Sequence, residues 1–157
     1  MIDAVFVFGA KYLIIVPVVI AGIFFMKLTP EAKKKMALLT VISLPVIYIV
    51  AKIGSLVYFN PRPFVVEDFT PLIYHIADNG FPSEHTLLAS ALAAVIFLFN
   101  KRLGVVLWIV AGLIAVSRVY VGVHHAADVL GSVVISVGVI FLIWHYIVKI
   151  FSRGPNV

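Results

Sequence analysis

The sequence contains no cysteine and carries little charge. Without cysteine, the 157-residue chain can form neither a disulfide nor a thiolate metal site, and cysteine usage leaves its redox compartment open. Charged residues make up only 12% of the chain and hydrophobic residues 63%, whereas about 25% of the residues of a soluble domain are charged. A soluble domain cannot hide this much apolar surface. The composition therefore indicates an integral membrane protein, with residues 1–157 forming one membrane-embedded domain.

The net charge of +5 does not point to nucleic acid. Most of the cations lie between apolar runs, where lysine and arginine set the orientation of a membrane protein. The expected partners are therefore membrane lipids, with no nucleic-acid partner, and the sequence leaves the oligomeric state open.

Apolar runs predict helices at roughly residues 4–27, 36–59, 86–99, 104–120 and 124–149. A membrane span needs about 20 residues. The third run is short by its apolar core alone, so its helix is expected to begin near residues 83–86. Pro17 and Pro45 fall inside the first two helices, which membrane helices tolerate when neighbours satisfy the freed backbone groups. The predicted fold is an all-α polytopic bundle of about five transmembrane helices.

The cations between these runs predict the orientation of the bundle. With five spans they all fall on one side, which the positive-inside rule makes cytoplasmic. The N-terminus and the long polar stretch of residues 60–82 then lie outside, and the C-terminus lies inside. The cations used in this argument are Lys27, Lys33, Lys34, Lys35, Lys101, Arg102, Lys149 and Arg153.

Three short polar segments interrupt the apolar sequence, and all three fall on the predicted outer face. In the last of them, His124 and Asp128 are four residues apart at the start of a helix, and hence on one face. The carboxylate can accept the N–H of one ring nitrogen, which leaves the other free to attack as a nucleophile. The alternative is an aspartate that favours the helix dipole and a histidine satisfied by a neighbour.

All three segments, at residues 61–64, 81–86 and 117–128, supply groups that suit a phosphate. Ser83 and His85 open a helix after Pro82, and a helix N-terminus attracts anions; Ser83 could equally be an N-cap. Arg62 and Arg118 carry planar guanidinium groups that match phosphate oxygens. For the arginines, the alternatives are ion pairs with Glu67, Asp68, Asp78 or Glu84, or contacts with lipid headgroups.

These residues resemble the three signature motifs of the type 2 phosphatidic acid phosphatase superfamily. The matching strings are Arg62-Pro63, Pro82-Ser83-x-His85 and Ser117-Arg118-x5-His124-x3-Asp128. The resemblance implies that His124 is a nucleophile that forms a phosphohistidine, oriented by Asp128. It implies that His85 is the general acid for the leaving group. It also implies phosphate contacts from Arg62, Ser83 and Arg118, with no metal and no cofactor.

Two departures from the family pattern point to one branch of it. The family lysine seven residues before Arg62 is Ser55 here, and Lys52, one turn deeper, is the candidate replacement because lysine side chains snorkel. Glu84 stands where the family usually has glycine. The strings around residues 57–64 and 75–86 resemble the bacitracin-resistance branch, whose members are undecaprenyl-diphosphate phosphatases. Glu84, Ser55 and His125 are expected to lie around the site without a direct catalytic role.

The resemblance therefore predicts hydrolysis of undecaprenyl diphosphate to undecaprenyl phosphate and phosphate. The expected location is the cytoplasmic membrane of a bacterium, with the site on the extracytoplasmic side. Alternatives with the same mechanism are a lipid A 1-phosphatase and a phosphatidylglycerophosphate phosphatase, because the motifs contact the phosphate and not the lipid. A non-catalytic lipid-phosphate transporter or binder is the alternative from another class.

Overall fold

The computed structural model describes residues 1–152, with side chains as far as Ile147. Within these residues the chain is helical and has no strand; the one β-bridge joins Pro61 and Asn79. This confirms the predicted all-α class. The helices are α1 (Ile2–Lys11), α2 (Ile15–Lys27), α3 (Pro30–Val57), α4 (Pro63–Val66), α5 (Glu84–Phe99), α6 (Lys101–Tyr120) and α7 (Ala126–Ser152).

Side-chain caps set two of the helix starts. Thr29 caps α3 by accepting the backbone N–H of Ala32 at 3.4 Å, and a proline follows at the first helical position. Asn100 caps α6 by accepting the N–H of Leu103 at 3.0 Å. Because Asn100 also ends α5, a single residue turns the chain from one helix into the next.

Pro17 breaks the first predicted helix, so the prediction of one continuous helix over residues 4–27 is wrong. Proline has no N–H for the carbonyl four residues earlier, and its ring crowds that carbonyl. The carbonyl belongs to Leu13, and the helix is interrupted there, between α1 and α2, with a bend of 47°. Pro45 is accommodated as predicted, because α3 runs through it without a break.

Three helices are long and apolar enough to cross a membrane: α3, α6 and α7 over Ala126–Ile147. The bent pair α1 and α2 adds a fourth span if it crosses as one unit. The remaining predicted segment, α5, has 16 residues and is therefore about 24 Å long, less than the hydrocarbon thickness of about 30 Å.

Helix α5 is the centre of the bundle. It contacts α2, α3, α6 and α7, and its small side chains Ala89, Ala91 and Ala93 are completely buried. Small residues allow helix backbones to approach closely where lipid supplies no hydrophobic driving force. The middle helix can therefore be short, because the outer helices cover it.

Helix α7 begins at Ala126, two residues later than predicted, so His124 precedes the helix. The delay follows from Gly122, whose φ of +80° makes a turn that residues with a side chain rarely adopt. A Cβ on Gly122 would also collide with the ring of Phe69. The turn between α6 and α7 thus places His124 in a fixed loop packed against other segments.

The end of α3, the start of α5, the end of α6 and the start of α7 meet at one end of the bundle. The opposite helix ends carry Lys33 and Lys34, near the start of α3, and Lys101 and Arg102, the first two residues of α6. The side chain of Lys149 and all of Arg153, which also entered the orientation argument, lie outside the described residues. The orientation itself remains a prediction.

Candidate active site

Asn79 folds the loop before α5 back onto the end of α3. Its Nδ2 donates to the carbonyls of Ser55 at 2.8 Å and Tyr58 at 3.1 Å. Its Oδ1 accepts the backbone N–H groups of Asn60 and Phe81, each at 3.0 Å. One half-buried amide therefore fixes both chain segments that lead into the site.

Arg62 is buried, with 5% of its surface exposed. Its Nε donates to Oδ1 of Asp78 at 2.6 Å, and its Nη1 donates to the carbonyl of Val123 at 2.8 Å. The same Nη1 lies 3.4 Å from Nε2 of His124. An ion pair with Asp78 was one of the alternatives for Arg62, and it is present in the structure. Arg62 nevertheless also contacts His124.

Arg118 approaches His124 from the last turn of α6. Its Nη2 lies 3.3 Å from Nε2 of His124, and its Nη1 lies 3.4 Å from the carbonyl of Ala10. Its Nε is buried and has no partner among the described residues. A buried donor without a partner is costly, so this N–H group leaves Arg118 incompletely satisfied by the described residues.

The ring of His124 is 3% exposed and has distinct partners at its two nitrogens. Arginine can only donate, so the contacts with Arg62 and Arg118 require Nε2 to be the acceptor. The proton then belongs on Nδ1, which lies 3.4 Å from Oδ2 of Asp128. Burial lowers the pKa of His124, and the two arginines lower it further, against the opposing effect of Asp128. The neutral ring with a proton-free Nε2 is therefore the favoured form.

Asp128 lies behind His124 and is completely buried. Its Oδ2 also accepts the backbone N–H of His125 at 2.9 Å, and its Oδ1 accepts Nδ2 of Asn60 at 2.8 Å. Buried carboxylates are stable as charges only when they are hydrogen-bonded in this way. The predicted spacing thus brings Asp128 and His124 together, although only Asp128 lies in the helix.

A cavity of about 450 Å³ opens in front of His124. Residues of α3, the loop, α5 and α6 surround it. Its polar lining consists of Lys52, Ser55, Arg62, His75, Asp78, Asn79, Glu84, His85, Arg118 and His124.

The start of α5 brings one of its two candidate residues to this cavity. His85 is half-buried, lines the cavity, and has no hydrogen-bond partner within the described part of the chain. Ser83 stands at the N-cap position but makes no side-chain cap, and its completely buried Oγ accepts from Thr86 at 3.2 Å. The Ser83 side chain is not among those that line the cavity.

The residues that depart from the family pattern lie at the α3 side and the mouth of the cavity. Nζ of Lys52 lies 5.4 Å from the centroid of the Tyr48 ring. Ser55 donates its hydroxyl to the Lys52 carbonyl at 2.8 Å. Glu84 is exposed and forms no ion pair with any described residue, so the alternative in which an arginine pairs with Glu84 is not present.

His125 does not line the cavity. The Nε2 of His125 lies 3.0 Å from the carbonyl of Pro61, and its backbone N–H donates to Oδ2 of Asp128. Among residues 1–152, no group of three His, Cys, Asp or Glu side chains is placed to hold a metal ion.

The sequence profile described as PAP2 superfamily matches residues 34–152, which include every residue of this site. The chain belongs to the PAP2 superfamily. The resemblance seen in the motifs is thereby confirmed, and with three or four spans the chain is a multi-pass membrane protein.

The relatives of this chain include two proteins whose names describe them as undecaprenyl-diphosphatases, one of them putative. The chain is 42% identical over 92 residues to undecaprenyl-diphosphatase BcrC of Bacillus subtilis, covering 59% of this chain and 48% of that protein. It is 35% identical over 129 residues to the putative undecaprenyl-diphosphatase YbjG of Escherichia coli, covering 80% of this chain and 64% of that protein. The chain thus spans about half to two thirds of the length of these relatives.

Solved PAP2-type structures share the fold. LpxE of Aquifex aeolicus matches with a TM-score of 0.66 and 24% identity, over 90% of this chain and 84% of that one. A phosphatidylglycerolphosphate phosphatase of Bacillus subtilis matches with a TM-score of 0.58 and 24% identity, over 97% of this chain and 77% of that one. These likenesses support the helix arrangement described above.

The sequence reasoning missed the residues that hold the PAP2 motifs in place. Asn60 and Asn79 are amides in a polar loop. Their position beside Pro61 and Gly80 is the only feature of the sequence that indicates a structural role. Ser132, one turn after Asp128, donates to the carbonyls of Ser83 at 3.0 Å and Asp128 at 2.7 Å. Its spacing of four residues from Asp128 is the one signal that could have identified it.

Proposed function

We propose that this chain is a membrane lipid phosphatase that hydrolyses undecaprenyl diphosphate to undecaprenyl phosphate and inorganic phosphate. The observation that carries the proposal is the environment of His124. Its Nε2 faces two buried arginines and a cavity, while its Nδ1 faces a buried carboxylate. A nucleophilic nitrogen, cationic groups for the phosphoryl oxygens and an orienting carboxylate are the parts that a phosphohistidine route needs.

The proposed reaction has two steps. In the first, the Nε2 lone pair of His124 forms a bond to the terminal phosphorus, and the bond from that phosphorus to the bridging oxygen breaks. The negative charge of the bound diphosphate favours the charged form of His85, which takes up a proton beside it and gives that proton to the departing lipid phosphate. Arg62 and Arg118 bind the phosphoryl oxygens, whose charge they neutralise in the transition state.

In the second step, water attacks the phosphohistidine. His85, now neutral, accepts a proton from the water, and the N–P bond breaks to return its electrons to Nε2. Asp128 stabilises the ring each time it carries positive charge, by accepting the hydrogen bond of Nδ1. The enzyme returns to its starting state, and inorganic phosphate leaves.

The substrate is proposed from the two relatives named as undecaprenyl-diphosphatases, and a second candidate has support of its own. Phosphatidylglycerophosphatase B of Bacillus subtilis is 33% identical over 87 residues, covering 48% of this chain and 42% of that protein. A phosphatidylglycerophosphate or a lipid A 1-phosphate would meet the same arginines. The proposed location is the cytoplasmic membrane of a bacterium, with the cavity open to the extracytoplasmic side.

A lipid-phosphate binder or transporter would use the arginines of this site. It would have no need for a proton-free Nε2 opposite them, with a carboxylate behind the ring. Ser83 is the N-cap residue of α5. This position is consistent with the phosphatase proposal, because the first residues of α5 line the cavity.

The test is phosphate release from a panel of purified lipid phosphates by the purified protein in detergent, with a chelator present. We expect the highest kcat/KM on undecaprenyl diphosphate and full activity without metal. Binding of the lipids with no release of phosphate would favour the transporter alternative. Activity that is lost with chelator and restored by magnesium would contradict the proposed mechanism.

A further inference from the structure

Asn60 contacts the proposed catalytic pair from outside the cavity. Its Nδ2 donates to Oδ1 of Asp128 at 2.8 Å, a shorter contact than the 3.4 Å between Oδ2 of Asp128 and Nδ1 of His124. Asn60 is not among the residues that line the cavity. Its side chain therefore reaches His124 only through Asp128.

The backbone and the side chain of Asn60 have separate tasks. The backbone N–H donates to Oδ1 of Asn79 at 3.0 Å, and the carbonyl accepts the N–H of Gly80 at 2.8 Å. These bonds shape the loop and would form with any residue other than proline at position 60. Within the described chain, the side chain makes one hydrogen bond, and it goes to Asp128.

A carboxylate held at one oxygen only can rotate about its χ2 angle, which is broad for aspartate. The bond from Asn60 fixes Oδ1, so Oδ2 is directed to Nδ1 of His124 and to the backbone N–H of His125. An amide donor also stabilises the charged carboxylate through a charge-assisted hydrogen bond, which is stronger than a neutral one. Both effects favour the tautomer of His124 that leaves Nε2 free.

We propose that Asn60 is a positioning residue of this phosphatase, which holds Asp128 as an anion in the one orientation where it accepts the Nδ1–H of His124. This inference rests on the proposed function. It assigns to Asn60 a task in the turnover rate and not in the binding of the lipid.

Two substitutions separate this task from simple packing. Asn60→Ala removes the donor and leaves the backbone bonds, so kcat should fall by roughly ten- to a hundredfold, the factor that a hydrogen bond to a charged group is worth. KM should change little. Asn60→Asp has nearly the same shape as the native residue but places a second carboxylate against Asp128, and its kcat at neutral pH should be lower than that of Asn60→Ala.

The order of the two kcat values decides between the two roles. A packing role predicts the reverse order, with a higher kcat for Asn60→Asp than for Asn60→Ala. Rates are expressed per folded, monodisperse protein, and the isosteric Asn60→Asp keeps the comparison possible if the smaller side chain destabilises the loop. Asn100→Ala is the matched control. It removes the cap of α6 far from the site, so it should lower the melting temperature and leave kcat unchanged.

A kcat for Asn60→Asp equal to or above that for Asn60→Ala, or native kcat in both, would overturn the inference. If the inference on Asn60 fails in this way but the native protein is active and His124→Ala is inactive, the proposed function still stands. If the native protein releases no phosphate from any lipid phosphate, the proposed function fails and the inference falls with it.

Discussion

Nη2 of Arg118 lies 3.3 Å from Nε2 of His124, and at this contact the arginine is the donor. The proton-free nitrogen of His124 is thus the one that faces both guanidinium groups and the cavity. A phosphoryl group bonded to that nitrogen would place its oxygens among the same N–H donors. These donors are already next to the attacking nitrogen, and charge stabilisation is the main requirement of phosphoryl transfer.

The pH dependence of turnover should report the protonation of His124. Burial and the arginines lower its pKa below the ordinary value of 6.5, so the neutral, nucleophilic ring predominates at pH 7. Activity should be lost as the pH falls through this lowered pKa. We expect the acidic limb of a plot of kcat/KM against pH, which reports the free enzyme, to lie below pH 6.5.

Arg118→Gln tests the physical cause of that shift. Removal of a nearby positive charge makes the imidazolium easier to form, so the acidic limb should move to higher pH while the maximal rate falls. The assignment of the acidic limb to His124 would be contradicted if the limb stayed at the same pH in Arg118→Gln. It would also be contradicted if the limb of the native protein lay well above pH 7.

Gly80 should be intolerant of any side chain. A Cβ at this position would lie 2.8 Å from Oδ2 of Asp128 and 3.1 Å from the carbonyl of Asn60. Gly80→Ala must therefore displace the carboxylate or the loop, and we expect kcat to fall by up to about a hundredfold, the effect of a displacement of about 1 Å in an active site. The measurement is kcat with a saturating lipid phosphate.

Gly138→Ala is the matched control for Gly80→Ala. A Cβ at Gly138 would meet no atom within 4 Å, so activity should stay at the native level. Equal activity of the two alanine variants would show that the close approach of Gly80 to Asp128 is not needed.

Lys52 should matter more for a diphosphate than for a monophosphate. Lys52 lines the cavity, and we expect its ammonium to neutralise the additional charge of a second phosphate. Lys52→Met keeps most of the apolar stem, and we expect a fall in kcat/KM of about fivefold on undecaprenyl diphosphate, as for a solvent-accessible ion pair, with a smaller fall on the monophosphate. Unchanged kinetics on both substrates would assign the cationic contacts to Arg62 and Arg118 alone.

The sidedness of the site is testable because the chain has no native cysteine. Val66 in α4 and Lys34 in the first turns of α3 are both exposed and lie at opposite ends of the bundle. A cysteine at Val66 should react with an impermeant thiol reagent in intact cells, and one at Lys34 should react only after lysis. The reverse pattern would place the cavity on the cytoplasmic side.

The helices and the main site residues could be predicted from the sequence because both depend on local patterns. Apolar runs give the helices, and the spacing of His124 and Asp128 places them together whether or not the helix includes both. The exact helix limits could not be predicted in the same way. Gly122 delays the start of α7, and Pro17 divides the first helix. Whether a helix continues through a proline depends on its tertiary contacts, which the sequence does not show.

The supporting contacts could not be predicted because they join distant parts of the chain. Asn60 and Asp128 are 68 residues apart, and no periodicity relates them. Ser83 illustrates the opposite case. Its motif position points to a phosphate contact, but in the folded chain its hydroxyl is buried next to Thr86. The role of its side chain stays a prediction.

The most direct test of the central claim is to trap the phosphorylated enzyme. A substrate labelled in its terminal phosphate is mixed with excess protein, quenched with base to preserve phosphohistidine, digested and analysed by mass spectrometry. We predict that the label is attached to His124, that it disappears on longer incubation, and that it is absent from a folded His124→Ala variant. Rapid phosphate release by His124→Ala, or a labelled residue other than His124 in the active native enzyme, would contradict the account.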